Sequence, residues 1–199
     1  MAEAPTDLRA PILLLAMPQV LDSFFHRSVV VLLRHTEEGS FGFIVNRPTE
    51  IPLTDILKGM EISWQGEDDV MVYFGGPVQS QLGSVMFAQR ADDPQEVDGD
   101  ENSMEVCPGI RMTQHLDDLG RLASDPPERF RLYLGYAGWG AGQLVREIMR
   151  NDWLTAPVQD ELLFSSHPGE VWEKALKSVG VDPASLPSWT PGGGDEPTN

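Results

Sequence analysis

The residues whose types and spacing allow chemistry fall in four short stretches of a 199-residue chain. The first, Phe24-Phe25-His26-Arg27-Ser28, sets a base, a cation and a hydroxyl at the mouth of an apolar run. On an extended backbone His26 and Ser28 would share a face and Arg27 would take the other. A serine nucleophile needs a hydrogen-bonded histidine, an orienting acid and an oxyanion hole, and no Gly-x-Ser-x-Gly elbow occurs. Arg27 as an ion-pair partner or carbonyl anchor is the expected role. The second stretch is His35, at the far end of the same run, followed after a turn by Asn46-Arg47-Pro48. A lone strand-end histidine reads as surface. The third, Phe74-Gly75-Gly76-Pro77, reads as a forced turn whose backbone can line a pocket.

The fourth stretch holds Gly135, Gly138, Gly140 and Gly142 within eight residues, then Gln143. Glycine at this density costs backbone entropy and is kept where positive φ or a close approach is needed. As a loop leading into a helix, it can aim N–H groups at an anion. It can equally be a packing corner plugged by Tyr136 and Trp139, and both readings stay open. It is not a phosphate-binding P-loop, because no Gly-Lys-Ser/Thr ending follows. Nor is it a dinucleotide fingerprint, because Gly138-x-Gly140-x-Gly142 has the wrong spacing. A small anionic ligand would be held by Arg27, Ser28, Asn46, Arg47, Gly75, Gly76, Tyr136, Gly138, Trp139, Gly140, Gly142 and Gln143, were the fold to assemble them. No catalytic set is identified. His26, His35, His115 and His167 lack metal-ligand spacing, so neither a metal nor another cofactor is expected. The single cysteine, Cys107 before Pro108-Gly109, excludes an internal disulfide framework and reads as an ordinary turn thiol.

These stretches must be positioned by a fold. The chain is long enough for one sizeable core, and its 41% apolar content is ordinary for a globular protein. The longest apolar runs, Ile12–Met17 and Val29–Leu33, are far short of the ~20 residues that span a bilayer. No secretory signal is visible, and a cytoplasmic location is expected. Fourteen basic against thirty-one acidic residues give a net charge of −17. With no basic patch in the linear sequence, direct nucleic-acid binding is not expected.

Pro11–Met17 and Ser28–His35 read as buried strands, with Phe41–Asn46 as hairpin partner of the second across Glu37–Ser40. Pro52–Lys58 is expected to be helical, and Ile62–Asp69 a loop. Val70–Phe74 reads as a strand with Ser84–Gln89 as its partner. Met104–Cys107 and Ile110–Thr113 form a hairpin, and a helix capped near Thr113 runs to Ser124 with Leu116, Leu119 and Leu122 inward. Phe130–Leu134 then reads as a strand before the glycine loop. The next helix carries Leu144, Val145, Ile148 and Met149 on a stripe continued by Trp153, with Arg146, Glu147, Arg150 and Asn151 wet. Glu161–Phe164 reads as a short strand, Ser166–Val179 as a helix ended by Gly180, and Asp182-Pro183 as a last turn. Ala91–Glu105, with seven acids and no base, reads as a solvated loop. Residues 1–10 are expected to be flexible and 188–199 a disordered tail, leaving one α+β domain over 11–187.

Taken together, the motifs resemble the AlgH/YqgE family, a widespread bacterial group of uncharacterised proteins. The resemblance rests on Leu13-Leu14-Leu15-Ala16-Met17-Pro18, Asp22, Phe25-His26-Arg27-Ser28-Val29-Val30, His35, Gly42, Asn46-Arg47-Pro48, Gly75-Gly76-Pro77-Val78, Gly135-Tyr136-Ala137-Gly138-Trp139-Gly140, Gly142-Gln143-Leu144, Glu147-Ile148, Trp153-Leu154 and Trp172. Two departures are Ala141, where the family often has proline, and Val145, where it often has an acid. The resemblance implies a compact α+β domain with a mixed, partly barrel-like β-sheet flanked by about four helices. It implies no agreed enzymatic activity and carries a label as a transcriptional regulator linked to alginate production. No helix-turn-helix with a basic recognition helix is visible. The expected function is therefore a non-catalytic regulatory or binding protein, acting indirectly through a protein partner or a small anionic ligand. The alternative is an enzyme or sensor for a small anionic metabolite at Gly135–Gly142 with Arg27 and Arg47.

Overall fold

A computed structural model describes residues 8–90 and 103–187. Its strands are β1 (Ile12–Ala16), β2 (Val29–Thr36), β3 (Gly39–Ile44), β4 (Pro48–Pro52), β5 (Met71–Phe74), β6 (Val78–Ala88), β7 (Ser103–Cys107), β8 (Ile110–Thr113), β9 (Phe130–Gly140) and β10 (Trp153–Ala156). The helices are α1 (Leu53–Gly59), α2 (Leu116–Ser124), α3 (Gln143–Met149), α4 (Asp160–Leu163) and α5 (Val171–Ser178). The sheet runs β10-β1-β2-β3-β9-β6-β8-β7, with β5 parallel to β9 and β4 antiparallel to β5. It is the expected mixed α+β architecture, curled into a half-barrel.

Everything hangs on β9. Its first half pairs with β5 (Tyr73↔Tyr133) and its second half with β3 (Gly42↔Ala137 to Gly39↔Gly140), while β6 lies along its other side. The expected glycine loop is therefore a strand. Gly135 serves backbone approach, while Gly142, beyond the strand, turns the chain into α3. Gly135, at φ +70°, is the point where β9 changes partner. There Gly75 N–H donates to Leu134 O (2.8 Å) and Ile44 N–H donates to Gly75 O (2.8 Å), stitching three strands together. A Cβ on Gly135 would lie 2.3 Å from Gly76 O, and one on Gly75 would lie 2.3 Å from Gly135 O. The positive φ also shifts the alternation of side chains. Before it, Tyr133 enters the inner core and Leu132 the outer face; after it, Tyr136 is inward and Ala137 and Trp139 outward.

Three apolar regions result. The half-barrel interior holds Leu13, Val31, Phe43, Met86, Met112 and Tyr133, closed by Trp172 and Leu176 of α5. One outer face, with Leu14, Val30, Trp139 and Trp153, is covered by α3 and Phe25. The other, with Val72, Val85 and Leu132, is covered by Leu53 and Leu57 of α1 and Leu119 and Leu122 of α2. α1, α3 and α5 end in the same way: Glu61, Asn151 and Gly180 take positive φ, and the next residue's N–H returns to the last turn.

Several expectations are corrected. Ser84–Gln89 does not pair with Val70–Phe74, because β9 inserts between β5 and β6. Pro48–Pro52 is a strand despite its prolines, which an edge position tolerates. Trp153 begins β10 and does not extend the α3 stripe, and Met149 is 61% exposed. Leu116 is 57% exposed rather than inward. Thr113 does not cap α2; its hydroxyl donates to Asp118 (2.8 Å). Residues 161–164 lie in and just after helix α4. Ser166 does not cap the last long helix, which opens with a 3-10 turn at Pro168–Glu170. Of the expected acidic loop 91–105, residues 103–105 belong to β7; the remainder, residues 1–7 and 188–199 lie outside the described residues.

Two glycines separate the roles of close approach and simple freedom. Gly135→Ala is expected to lower stability by about 2–4 kcal/mol, through strained φ and a backbone clash. Gly120, inside α2 with open space around an added Cβ, should instead gain about 0.5–1 kcal/mol as alanine. Urea midpoints of the two variants, compared at constant slope, check both.

Candidate functional site: a cleft at the half-barrel mouth

The twelve residues singled out in the sequence separate into distinct places. Arg27, Ser28, Asn46 and Arg47 lie where β3 leaves the sheet. Asn46 Oδ1 accepts from Val29 N–H (2.8 Å), and its Nδ2 donates to Arg27 O (3.0 Å). Arg47 donates to Ser23 O and His26 O, both at 2.7 Å. Burial lowers the Arg47 pKa, with Asp22 opposing. Arg27, itself at φ +54°, carries its guanidinium 5.1 Å from the Trp172 ring. Ser28 is fully buried and its Oγ has no hydrogen-bond partner among the described residues, while His26 Nδ1 bonds to Val20 O (3.1 Å). This corner clamps the connection between β1 and β2.

Gly140 pairs with Gly39 at the opposite end of β3. Roughly 17 Å of strand separates Gly39 from Ile44, with Asn46 and Arg47 beyond. Gly75 and Gly76 form the crossing described above. Gly142, at φ +65°, starts α3, and Gln143 Oε1 accepts from Gly140 N–H (3.1 Å). Gln143 Nε2 donates to Glu147 Oε1 (2.9 Å), and Glu147 Oε2 accepts from the indoles of Trp139 (2.9 Å) and Trp153 (2.8 Å). Glu147, expected on the wet face, is the hub of this corner. The signal for it was the pair of apolar-patterned tryptophans, since a buried indole N–H needs an acceptor.

Tyr136, Gly138 and Trp139 alone of the twelve line an open cleft of about 690 Å³ at the half-barrel mouth. Irregular pairing shapes it. Between Val78↔Tyr136 and Gly83↔Leu134, β6 carries more residues than β9, so Gln79–Leu82 is pushed outward. Gln79 sits at φ +47° there. A second shift between Leu32 and Arg34 sets Arg34 opposite Phe41, its guanidinium 5.8 Å from that ring. Phe41 and Tyr136 are tilted at 52° with centroids 4.9 Å apart. Gln114, Glu38 and Ser40 complete the walls. Ser40 Oγ is hydrogen-bonded to His35 Nδ1 (2.7 Å) across the hairpin. Arg34, Phe41, Gln79 and Gln114 were not legible as site residues, because only strand register brings them together.

In the half-barrel interior lies Tyr133, fully buried, its hydroxyl without a hydrogen-bond partner among the described residues. Burial pushes its phenol up to about 12, with the Arg131 guanidinium pulling the other way. Cys107 is half-buried, and burial, then Asp160 and Glu105, push its thiol up, away from the thiolate a reactive cysteine needs. Among the described residues no three His, Cys, Asp or Glu side chains converge as metal ligands, and no helix is long and apolar enough to cross a membrane.

Two outcomes follow from these buried groups. Glu147→Gln leaves one oxygen for three donors and should cost about 1–3 kcal/mol, together with a changed near-ultraviolet circular dichroism of tryptophan. Glu173→Gln, on the exposed side of α5, is the matched control. For Tyr133, the folded state keeps its proton after the unfolded chain has lost it. Its contribution is therefore complete below about pH 10 and fades as pH rises towards 12. Tyr133→Phe should flatten that part of the stability–pH curve, measured by urea unfolding from pH 9 upward.

Comparison with known proteins places this geometry. A family model described as AlgH-like matches residues 13–184. A UPF0301 protein of Myxococcus xanthus is 40% identical over 178 residues, 89% of this chain and 94% of the relative. One from Paracoccus denitrificans is 41% identical over 177 residues, 87% and 91% of the two chains. The solution structure of the AlgH protein from Pseudomonas aeruginosa aligns with a TM-score of 0.68 at 32% identity, covering 86% of this chain and 88% of that one. A crystal structure of a Corynebacterium diphtheriae protein has the same TM-score at 21% identity, over 84% and 85%, a likeness of fold alone. With the match running through β1, the β9 crossing and α5, this chain belongs to the AlgH-like family.

Proposed function

We propose that this protein is a non-catalytic regulatory binding protein of the cytoplasm that works through the half-barrel mouth. It influences transcription indirectly, through the ligand or protein partner held there, and does not contact DNA itself. The observation that carries this reading is the cleft's own cost. A non-glycine residue, Gln79, is held at φ +47°, and Arg34 forms no ion pair among the described residues while it covers Phe41. A left-handed residue, a cation and two aromatic rings gathered on one concave surface are the features a binding site uses. The net charge of −17 supports the indirect route, since a phosphate backbone is repelled overall. An anion site built from Arg27 and Arg47 with Gly135–Gly142 has less support. Both terminal nitrogens of Arg47 already donate to carbonyls, and Gly140 N–H is taken by Gln143.

Complementation of a deletion strain, read by transcript profiling, tests the proposal. Wild-type protein should restore the deletion's altered transcripts, and Tyr136→Ala should not, although it accumulates folded. Gln79→Gly should raise stability by about 1 kcal/mol through relief of strain and complement poorly. Full complementation by Tyr136→Ala removes the cleft as the working surface, and retardation of DNA by the wild type at physiological salt removes the indirect route.

A further inference from the structure

Resting on that reading, we infer that the cleft is a binding site for a small aromatic monocarboxylate that also carries a hydrogen-bond donor. The volume of the open cleft, about 690 Å³, is more than a small organic molecule needs. Arg34 supplies the anion end. Its guanidinium lies 5.8 Å from the centre of the Phe41 ring and carries the paired N–H groups that grip a carboxylate in a two-pronged manner. In a chain of net charge −17, Arg34 is, among the described residues, the one cation on the cleft wall, so a negative group entering the cleft meets it there. Glu38 on the same wall limits that acceptance to one charge, because a second negative group would meet a carboxylate.

The middle of the cleft is aromatic. Phe41 and Tyr136 present tilted rings 4.9 Å apart, and Gly138 keeps the floor beside Tyr136 clear, since a Cβ there would lie 3.3 Å from that ring. A planar ring can pack edge-on or offset against such a pair. Gln114, also on the cleft lining, supplies an acceptor. It donates its amide N–H to Ser84 Oγ (2.9 Å), which leaves its carbonyl oxygen as the acceptor end. A hydroxyl or amine on the ligand fits that oxygen.

Titration followed by ¹H–¹⁵N NMR tests this with four probes: 4-hydroxybenzoate, the uncharged 4-hydroxybenzyl alcohol, the dianion terephthalate and the non-aromatic cyclohexanecarboxylate. The expected result is saturable shifts at Arg34, Gly138 and Trp139 with 4-hydroxybenzoate, and at least about tenfold weaker binding of the other three. Arg34→Gln should weaken 4-hydroxybenzoate about tenfold with the remaining spectrum unchanged, and Glu38→Gln should bring terephthalate closer to it. Absence of cleft shifts with 4-hydroxybenzoate up to about 10 mM overturns the inference, as does equal binding of the alcohol. The wider reading is judged separately. If Tyr136→Ala fails to complement while no aromatic acid binds, the ligand class falls and the cleft stands; if Tyr136→Ala complements fully, both fall.

Discussion

One strand must exchange neighbours halfway along its length, and the only way two further backbones can reach it at that point is without side chains. Gly75, Gly76 and Gly135 meet there with their carbonyls and Cα atoms closer than any Cβ allows. A strand that simply ended would leave N–H and C=O groups unpaired in the core, at the cost of unmet hydrogen bonds. By crossing instead, β9 keeps both edges paired and joins two sheets into one curled surface. The side-chain alternation reverses at the same place, so the inner core receives Tyr133 from one half and Tyr136 from the other.

Around that crossing the protein buries polar groups and satisfies them mostly with backbone. Arg131 is 7% exposed and donates to the carbonyls of Leu163 (2.6 Å), Val45 (3.2 Å) and Ser165, with its guanidinium 4.1 Å from the Tyr73 ring. Carbonyls and an aromatic face spread the charge without a buried carboxylate, whose own desolvation would be costly. The effect is to tie the segment after α4 to β9. Arg47 does the same for the connection before β2, and Glu147 for the two indoles flanking α3. Trp172 Nε1–H, donating to Ala16 O (2.8 Å), fixes α5 across the half-barrel. Arg47, Glu147 and Trp172 are motif residues, so motifs that look like chemistry in the linear chain act as fasteners.

The cleft lies where this regularity gives way. β6 carries extra residues, β2 shifts by one, and Gln79 takes a left-handed conformation. Sheet irregularities re-aim side chains, and here they turn Arg34 and Phe41 towards Tyr136. The crossing adjoins the cleft at Tyr136, where a Cβ on Gly76 would lie 2.2 Å from the Tyr136 carbonyl carbon, so that ring rises from a tightly held backbone. A site placed on such a support loses little ordering entropy when it is filled.

The amino-acid order by itself determined the local elements that carry their own signals. The continuous apolar runs of β1 and β2, short and rich in branched residues, read as strands covered on both faces. The hairpin around Pro108-Gly109, the Gly180 end of α5 and the Asp182-Pro183 turn were equally legible, because each depends on one or two residues. The family motifs also identified the family. The tertiary structure alone decided what those motifs do. Glycine density looks the same for a loop and for a strand that others cross, because Gly135 answers to Gly75 and Gly76 some sixty residues earlier in the chain. Pro48–Pro52 became a strand only because β5 offered it an edge. Glu147 left the wet face because Trp139 and Trp153 converged on it. Arg34, Phe41, Gln79 and Gln114 have no spacing in common; strand register, set by pairing across the whole sheet, is what gives them a shared surface.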